Sequence, residues 1–186
     1  MDLLLGDSYT SAKFYKHIHS HIVVPKVFSW IWRSCCIMKS KVFAWLLLTD
    51  RLNTKDLLKR RNWNVTEDYC CVLCRARVYE DKIHLFFNCT FSSRIWNYLQ
   101  IEWPVHGNRQ AVMAGARRRF GHHFFMEVVI IACWHIWLLR NDVIFNHERH
   151  TFGRWKCNFV HVLSLLKHMM KTKHLTSFSF WIGSLP

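Results

Sequence analysis

Four residues define the chemistry open to this chain: Cys71, Cys74, His84 and Cys89, in the spacing Cys-x2-Cys-x9-His-x4-Cys. Two thiols with two residues between them form a turn that clamps one side of an ion. A His and a Cys with four residues between them close the other side. Three thiolates and one imidazole suit a closed tetrahedral zinc site, and four protein ligands leave no position open for water. Such a site holds a fold together rather than reacting. Each thiol must lose a proton to bind, and Zn²⁺ at neutral pH favours that loss. The expected cofactor is therefore one structural Zn²⁺. Cys70 keeps an alternative open, because a Cys70/Cys74 pair has three intervening residues and zinc accepts that spacing too. Arg75 and Arg77 flank the thiol pair and would offset the negative charge of three thiolates on one dication. Glu80, Asp81 and Lys82 read as a solvated loop.

Other chemistry finds little support. Two-metal nucleotidyl transfer needs clustered carboxylates. The chain has 12 acidic residues and no Asp-Asp pair. It carries no phosphate-cradling glycine loop, serine-nucleophile motif or endonuclease constellation. His17, His19, His21, His122 and His123 lack thiols or carboxylates at ligand spacing. The expectation is a protein with no catalytic residues.

The elements that must position the zinc ligands read as mainly α, a helical domain with a small embedded Cys-Cys-His-Cys subdomain. The chain has 186 residues and is 51% apolar, enough for one sizeable core. Val23-Val24 before Pro25 reads as extended, and 29–32 as a short aromatic helix. A central helix is expected over 41–50. The next, over 54–61, would be capped by Asn53, with Leu57 and Leu58 inward and Lys55, Lys59, Arg60 and Arg61 outward. Trp63 would pack beneath the turn that follows. Residues 64–90 hold the zinc cluster and could not form a core unaided, so the metal supplies folding energy there. Leu85, Phe86 and Phe87 would dock this cluster on the helical body. Ser92 or Ser93 would cap a helix running to Gln100.

Residues 101–121 are punctuated by Pro104, Gly107, Gly115 and Gly121 and read as a flexible basic connection. Two long helices follow, over 122–145 and 152–171. The domain division is thus 9–100 for the zinc-binding part, 101–121 for the connection, 122–173 for a helical pair and 174–186 for a tail. The apolar run 128–139 falls short of the ~20 residues of a membrane span and reads as a buried helix, so no membrane partner is expected. The N-terminus lacks the basic start of a signal peptide. The eight cysteines are then reduced thiols, and Cys35, Cys36, Cys133 and Cys157 are small core side chains. Residence would be nuclear or cytoplasmic, not secreted.

The net charge of +14, from 26 basic and 12 acidic residues, favours a polyanionic partner, most simply RNA or DNA. Candidate phosphate contacts are Lys59, Arg60, Arg61, Arg75, Arg77, Arg117, Arg118 and Arg119. They would give salt-sensitive, largely sequence-independent affinity. The alternative is a zinc-stabilised surface that docks a polymerase or another protein.

The segment Lys41-Val-Phe-Ala-Trp-Leu-Leu-Leu-Thr-Asp-Arg-Leu-Asn-Thr-Lys-Asp-Leu-Leu-Lys-Arg-Arg-Asn-Trp63 resembles the entry helices of the plant reverse-transcriptase zinc-binding domain. Cys71-Val-Leu-Cys74 and His84-Leu-Phe-Phe-Asn-Cys89 resemble its metal signature, and Thr90-Phe-Ser-Ser-Arg-Ile-Trp96 the stretch after it. Residues 9–18 and Ser29-Trp-Ile-Trp32 resemble the lead-in, and Ile136-Trp137 to Phe145 a later segment. Members of that family lie after the polymerase in LINE-type, non-LTR retrotransposon polyproteins. The resemblance implies zinc binding and contact with nucleic acid during target-primed reverse transcription. The extra Cys70 and the nine-residue span before His84 depart from the pattern. With Met1 only a few residues before the lead-in, the expectation is a retroelement tail separated from its polymerase, either a relic or a co-opted gene.

Overall fold

The computed structural model describes residues 10–21, 24–63 and 68–186. Val23 and residues 64–67 therefore lie outside the described residues. Helix α1 (Ser11–Ile18) begins where the Thr10 hydroxyl accepts from the Lys13 amide, and it buries nothing. Helix α2 (Lys26–Arg33) follows Pro25 and buries Val27 and Ile31, one turn apart. Helix α3 (Met38–Leu48) turns Phe43, Ala44 and Leu47 inward. Helix α4 (Lys55–Arg60) is capped by Thr54, whose hydroxyl accepts from the Leu57 amide. Asn53, the expected cap, lies one residue too early.

A π-helical turn (His84–Asn88) leads into α5 (Thr90–Tyr98), with Cys89 at its N-terminus. Ser92 and Ser93 sit inside α5 rather than capping it. Residues 101–121, expected to be flexible, contain the three-turn helix α6 (Arg109–Phe120), capped by Asn108 and ended by Gly121 at φ +73°. Gly115 is needed here for close approach: a Cβ would stand 2.8 Å from the Pro104 ring. The glycine that reads as a helix breaker thus lets α6 press onto the 101–104 segment.

Helix α7 (Phe125–Asn146) is the centre of the molecule. Every residue from Phe125 to Cys133 is buried, and α2, α3, α6 and α8 (Phe152–Leu166) pack around it. By length and composition alone α7 could cross a bilayer, yet 56% of its most apolar window is buried by the chain itself. A 3₁₀ turn (Lys167–Met169) ends α8. Residues 174–186, read as a tail, largely belong to α9 (Thr172–Gly183), which buries Phe178 completely and sets Trp181 against Phe120 and Phe124. Of the four cysteines expected in the core, Cys36 and Cys133 are buried, Cys35 is half-buried and Cys157 is exposed. Trp63, expected beneath a turn, is 55% exposed.

One core serves the whole structure. The Phe43 ring meets Phe86 at 6.0 Å, Trp134 at 5.2 Å and Trp137 at 6.3 Å. This aromatic group ties α3 and the π turn to α7. Beside it lies a buried ion pair. Glu80, fully buried, accepts from Arg140 of α7, with Nη2 to Oε1 at 2.5 Å and Nε to Oε1 at 3.1 Å. The same Oε1 accepts from the Lys55 amide at 3.1 Å, and Arg140 Nη1 donates to Asn141 Oδ1 at 3.0 Å. Glu80 is therefore a core residue rather than part of a solvated loop. Lys55, expected outward, is buried as well, and its ammonium donates to the carbonyls of Asp68 (3.0 Å) and Cys70 (2.8 Å).

Removing one partner of a buried ion pair leaves the other charge without compensation, which costs about 3–5 kcal/mol. Arg140→Leu should destabilise the protein by that amount in urea unfolding at neutral pH. A loss under about 1 kcal/mol would show that Glu80 finds other support.

His135 is buried in α7, and its Nε2 has no partner among the described residues. Burial pushes its pKa down to about 4. The unfolded chain takes up this proton near pH 6.5, so acidification from there toward pH 4 favours unfolding. At pH 5 the effect is about 2 kcal/mol. The stability of His135→Leu relative to the parent protein should therefore rise by that amount between pH 7 and pH 5. A pH-independent difference would place the imidazole in contact with water.

Candidate metal centre

The zinc ligands come from two short constructions. The first is a hairpin. Cys70 and Tyr79 form an antiparallel bridge, the Cys71 amide donates to the Val78 carbonyl at 2.8 Å, and the Glu80 amide donates to the Tyr69 carbonyl at 2.9 Å. The chain reverses between them through Val72-Leu73 and Arg75-Ala76, with Arg77 at φ +49° and Leu73 buried. This puts Cys71 and Cys74 on the inner side of the loop.

The second construction is the π turn. Its entrance is fixed by Asp81, whose carboxylate accepts from the His84 amide at 2.6 Å. The Cys89 amide then donates to the His84 carbonyl at 2.7 Å, an i→i+5 bond. The wider turn brings residues five apart to the same side, as ligands at His84 and Cys89 require. Helix α5 satisfies the carbonyls within the turn. The Trp96 indole N–H donates to Phe86 O at 2.7 Å, the Ser92 hydroxyl to Leu85 O, and the Ser93 hydroxyl to Phe87 O at 3.4 Å. The Ser-Ser-x-x-Trp stretch after the last ligand thus has a local physical role.

The four ligand atoms lie within 4.8 Å of one another. Cys71 Sγ is 3.9 Å from Cys89 Sγ, and Cys74 Sγ is 3.4 Å from His84 Nε2. Zinc at about 2.3 Å from sulfur and about 2.0 Å from nitrogen needs ligand separations of about 3.5–3.8 Å, so the donor set fits that ion. Cys71 and Cys89 are buried; Cys74 and His84 are half-buried. The Cys71 thiol is pushed up by its hydrogen bond to Cys89 and by burial. The Cys89 thiol is pulled down by that same bond and by the Phe91 and Ser92 amides at the start of α5. Cys70 points elsewhere: its thiol contacts the Arg77 carbonyl at 3.2 Å. The set that converges is therefore Cys71, Cys74, His84 and Cys89.

The eight basic residues singled out from the sequence do not form one cluster of free cations. Lys59 lies over the rings of Tyr69 and Tyr79, and Arg117 over Trp30. Arg60 pairs with Asp50 and Asp56, and Arg119 with Glu102 at 3.7 Å. Arg61 donates to Asn53 at 3.4 Å, and Arg77 stands 3.9 Å from Asp68 while 81% exposed. Arg75 and Arg118 are exposed with no partner among the described residues. Sequence reading missed Lys55, Glu80 and Arg140, whose burial comes from long-range packing and leaves no local signal. A cavity of about 480 Å³ lies between the π turn, the 103–107 loop, α6 and α7. Its lining is apolar except for Lys82 and Asn88, and Lys82 is paired with Asp50.

A closed three-thiolate, one-imidazole site set into a mainly helical body defines a structural zinc-binding domain. Residues 9–96 match the family described as zinc-binding in reverse transcriptase. That stretch is a reverse-transcriptase zinc-binding domain, an accessory domain and not the catalytic one. Its cofactor is one structural Zn²⁺. No curated protein and no solved structure matches the chain.

Cys74→Ser and His84→Ala should each lose stoichiometric zinc, read by metal analysis of purified protein. Hydrogen exchange across 68–96 should rise with that loss, because binding and folding are coupled at such sites. Full zinc retention in both variants would refute the ligand assignment.

Proposed function

We propose that this chain is a non-catalytic nucleic-acid-binding module of a reverse-transcribing element, with zinc fixing its shape. The observation that carries this reading is where the charge goes. Each described carboxylate is held by a partner within the chain. Asp50, Asp56, Asp68, Glu80, Glu102, Asp142 and Glu148 pair with Arg or Lys, while Glu127 and Asp81 accept backbone amides. The chain carries a net charge of +14, and with these carboxylates held, basic side chains such as Arg75 and Arg118 are left facing solvent. Such a surface suits phosphates, which are read without regard to base sequence. Of the eight candidates, Arg75 and Arg118 are the most available for this, followed by Arg61 and Arg77. The partner is RNA or DNA, engaged beside a retroelement polymerase.

A second reading, docking onto that polymerase, draws on exposed Trp32, Ile37, Met38 and Val42 around the α2–α3 junction. The two separate by salt. Contact with only two phosphates already weakens binding about tenfold between roughly 50 and 200 mM salt. Anisotropy titrations with labelled RNA and DNA should show at least that fall. Arg118→Gln should flatten the slope by about one unit. Salt-independent binding, or none at low salt, would exclude the nucleic-acid reading and favour the protein partner.

A further inference from the structure

The zinc hairpin carries a feature that phosphate binding alone does not use. Tyr69 and Tyr79, on the two arms of the hairpin, stack with ring centroids 6.1 Å apart and planes 26° from parallel. The Lys59 ammonium stands over both rings, 4.8 Å from the centroid of Tyr69 and 5.6 Å from that of Tyr79. Lys55, one turn earlier on α4, pins the Asp68–Cys70 backbone beneath them. Tyr79 nevertheless stays 38% exposed. Two aromatic rings are thus held together by Lys59 beside the half-buried zinc site, with Tyr79 the more exposed of the pair. The exposed Arg75 and Arg77 lie on the turn between the two arms.

We infer that this tyrosine pair is a stacking platform for an unpaired base, and that the module prefers single-stranded nucleic acid. The inference rests on the nucleic-acid reading above and adds the form of the ligand to it. A cationic guest is disfavoured, because the Lys59 ammonium already stands beside the rings and the exposed Arg75 and Arg77 lie on the turn between the two arms. An acidic peptide would satisfy the cations and leave the rings idle. A duplex keeps its base faces buried in its own stack. A single strand offers both complements together: a flat π-face for the exposed part of Tyr79 and phosphates for the arginines of the turn.

The test uses the full zinc-loaded chain and three labelled probes of equal length: a single strand, its blunt duplex, and an abasic strand with the same phosphates and no bases. The single strand should bind about five- to hundredfold tighter than the abasic strand. Tyr79→Ala and Tyr69→Ala should erase that advantage and leave the salt slope and zinc content unchanged. Tyr79→Phe should keep it. Equal affinity for single and abasic strands, with steep salt dependence intact, would overturn the platform and leave phosphate binding standing. A duplex preference that survives Tyr79→Ala would overturn it too. Absence of binding to all three probes at low salt would overturn both readings.

Discussion

Closing a tetrahedron with His84 and Cys89 imposes a turn that an α-helix cannot make. Residues five apart fall on different sides of an α-helix, so the chain widens into one π turn. That local choice propagates. A π turn alters the backbone hydrogen-bond register, and its carbonyls must find donors elsewhere. Trp96, Ser92 and Ser93 provide them from α5, which fixes where α5 starts and how it crosses the turn. Leu85 and Phe86 are then forced inward, where they become part of the common core. The metal therefore organises more than its four ligands: the side chains between His84 and Cys89 are placed by the same constraint.

Glu80 is the second hinge of the architecture. Its backbone closes the hairpin against Tyr69 and accepts the Asp56 amide at 3.1 Å, while its carboxylate meets both Arg140 and the start of α4. Three pieces distant in sequence thus share one buried residue. Burying a charge is tolerable only when its partners are fixed, and here they are supplied by a helix terminus and by the central helix α7.

Much of this was legible from sequence. The ligand spacing, the apolar stripes of α3, α7 and α8, and the docking role of Leu85 and Phe86 follow from periodicity and residue chemistry. The failures have definite causes. Gly115 reads as a breaker because its close neighbour, Pro104, is invisible to a local window. Residues 174–186 read as a tail because their pattern is weak until Phe178 is packed into the core. Glu80 and Lys55 read as surface residues because charged side chains usually are. The π turn was hidden in plain spacing: His-x4-Cys does not suit an α-helix, and that mismatch was the available signal.

The Phe43–Trp134 and Glu80–Arg140 contacts carry a practical corollary. The match to the family ends at residue 96, but the buried core does not. A fragment cut at that boundary would expose the face of Phe43 that α7 covers, and would strip the Glu80 carboxylate of its Arg140 partner. Sequence homology and folding autonomy have different borders here. The stretch after residue 96 is the other half of the zinc domain's own interior, and a soluble piece of this molecule must reach at least through α7.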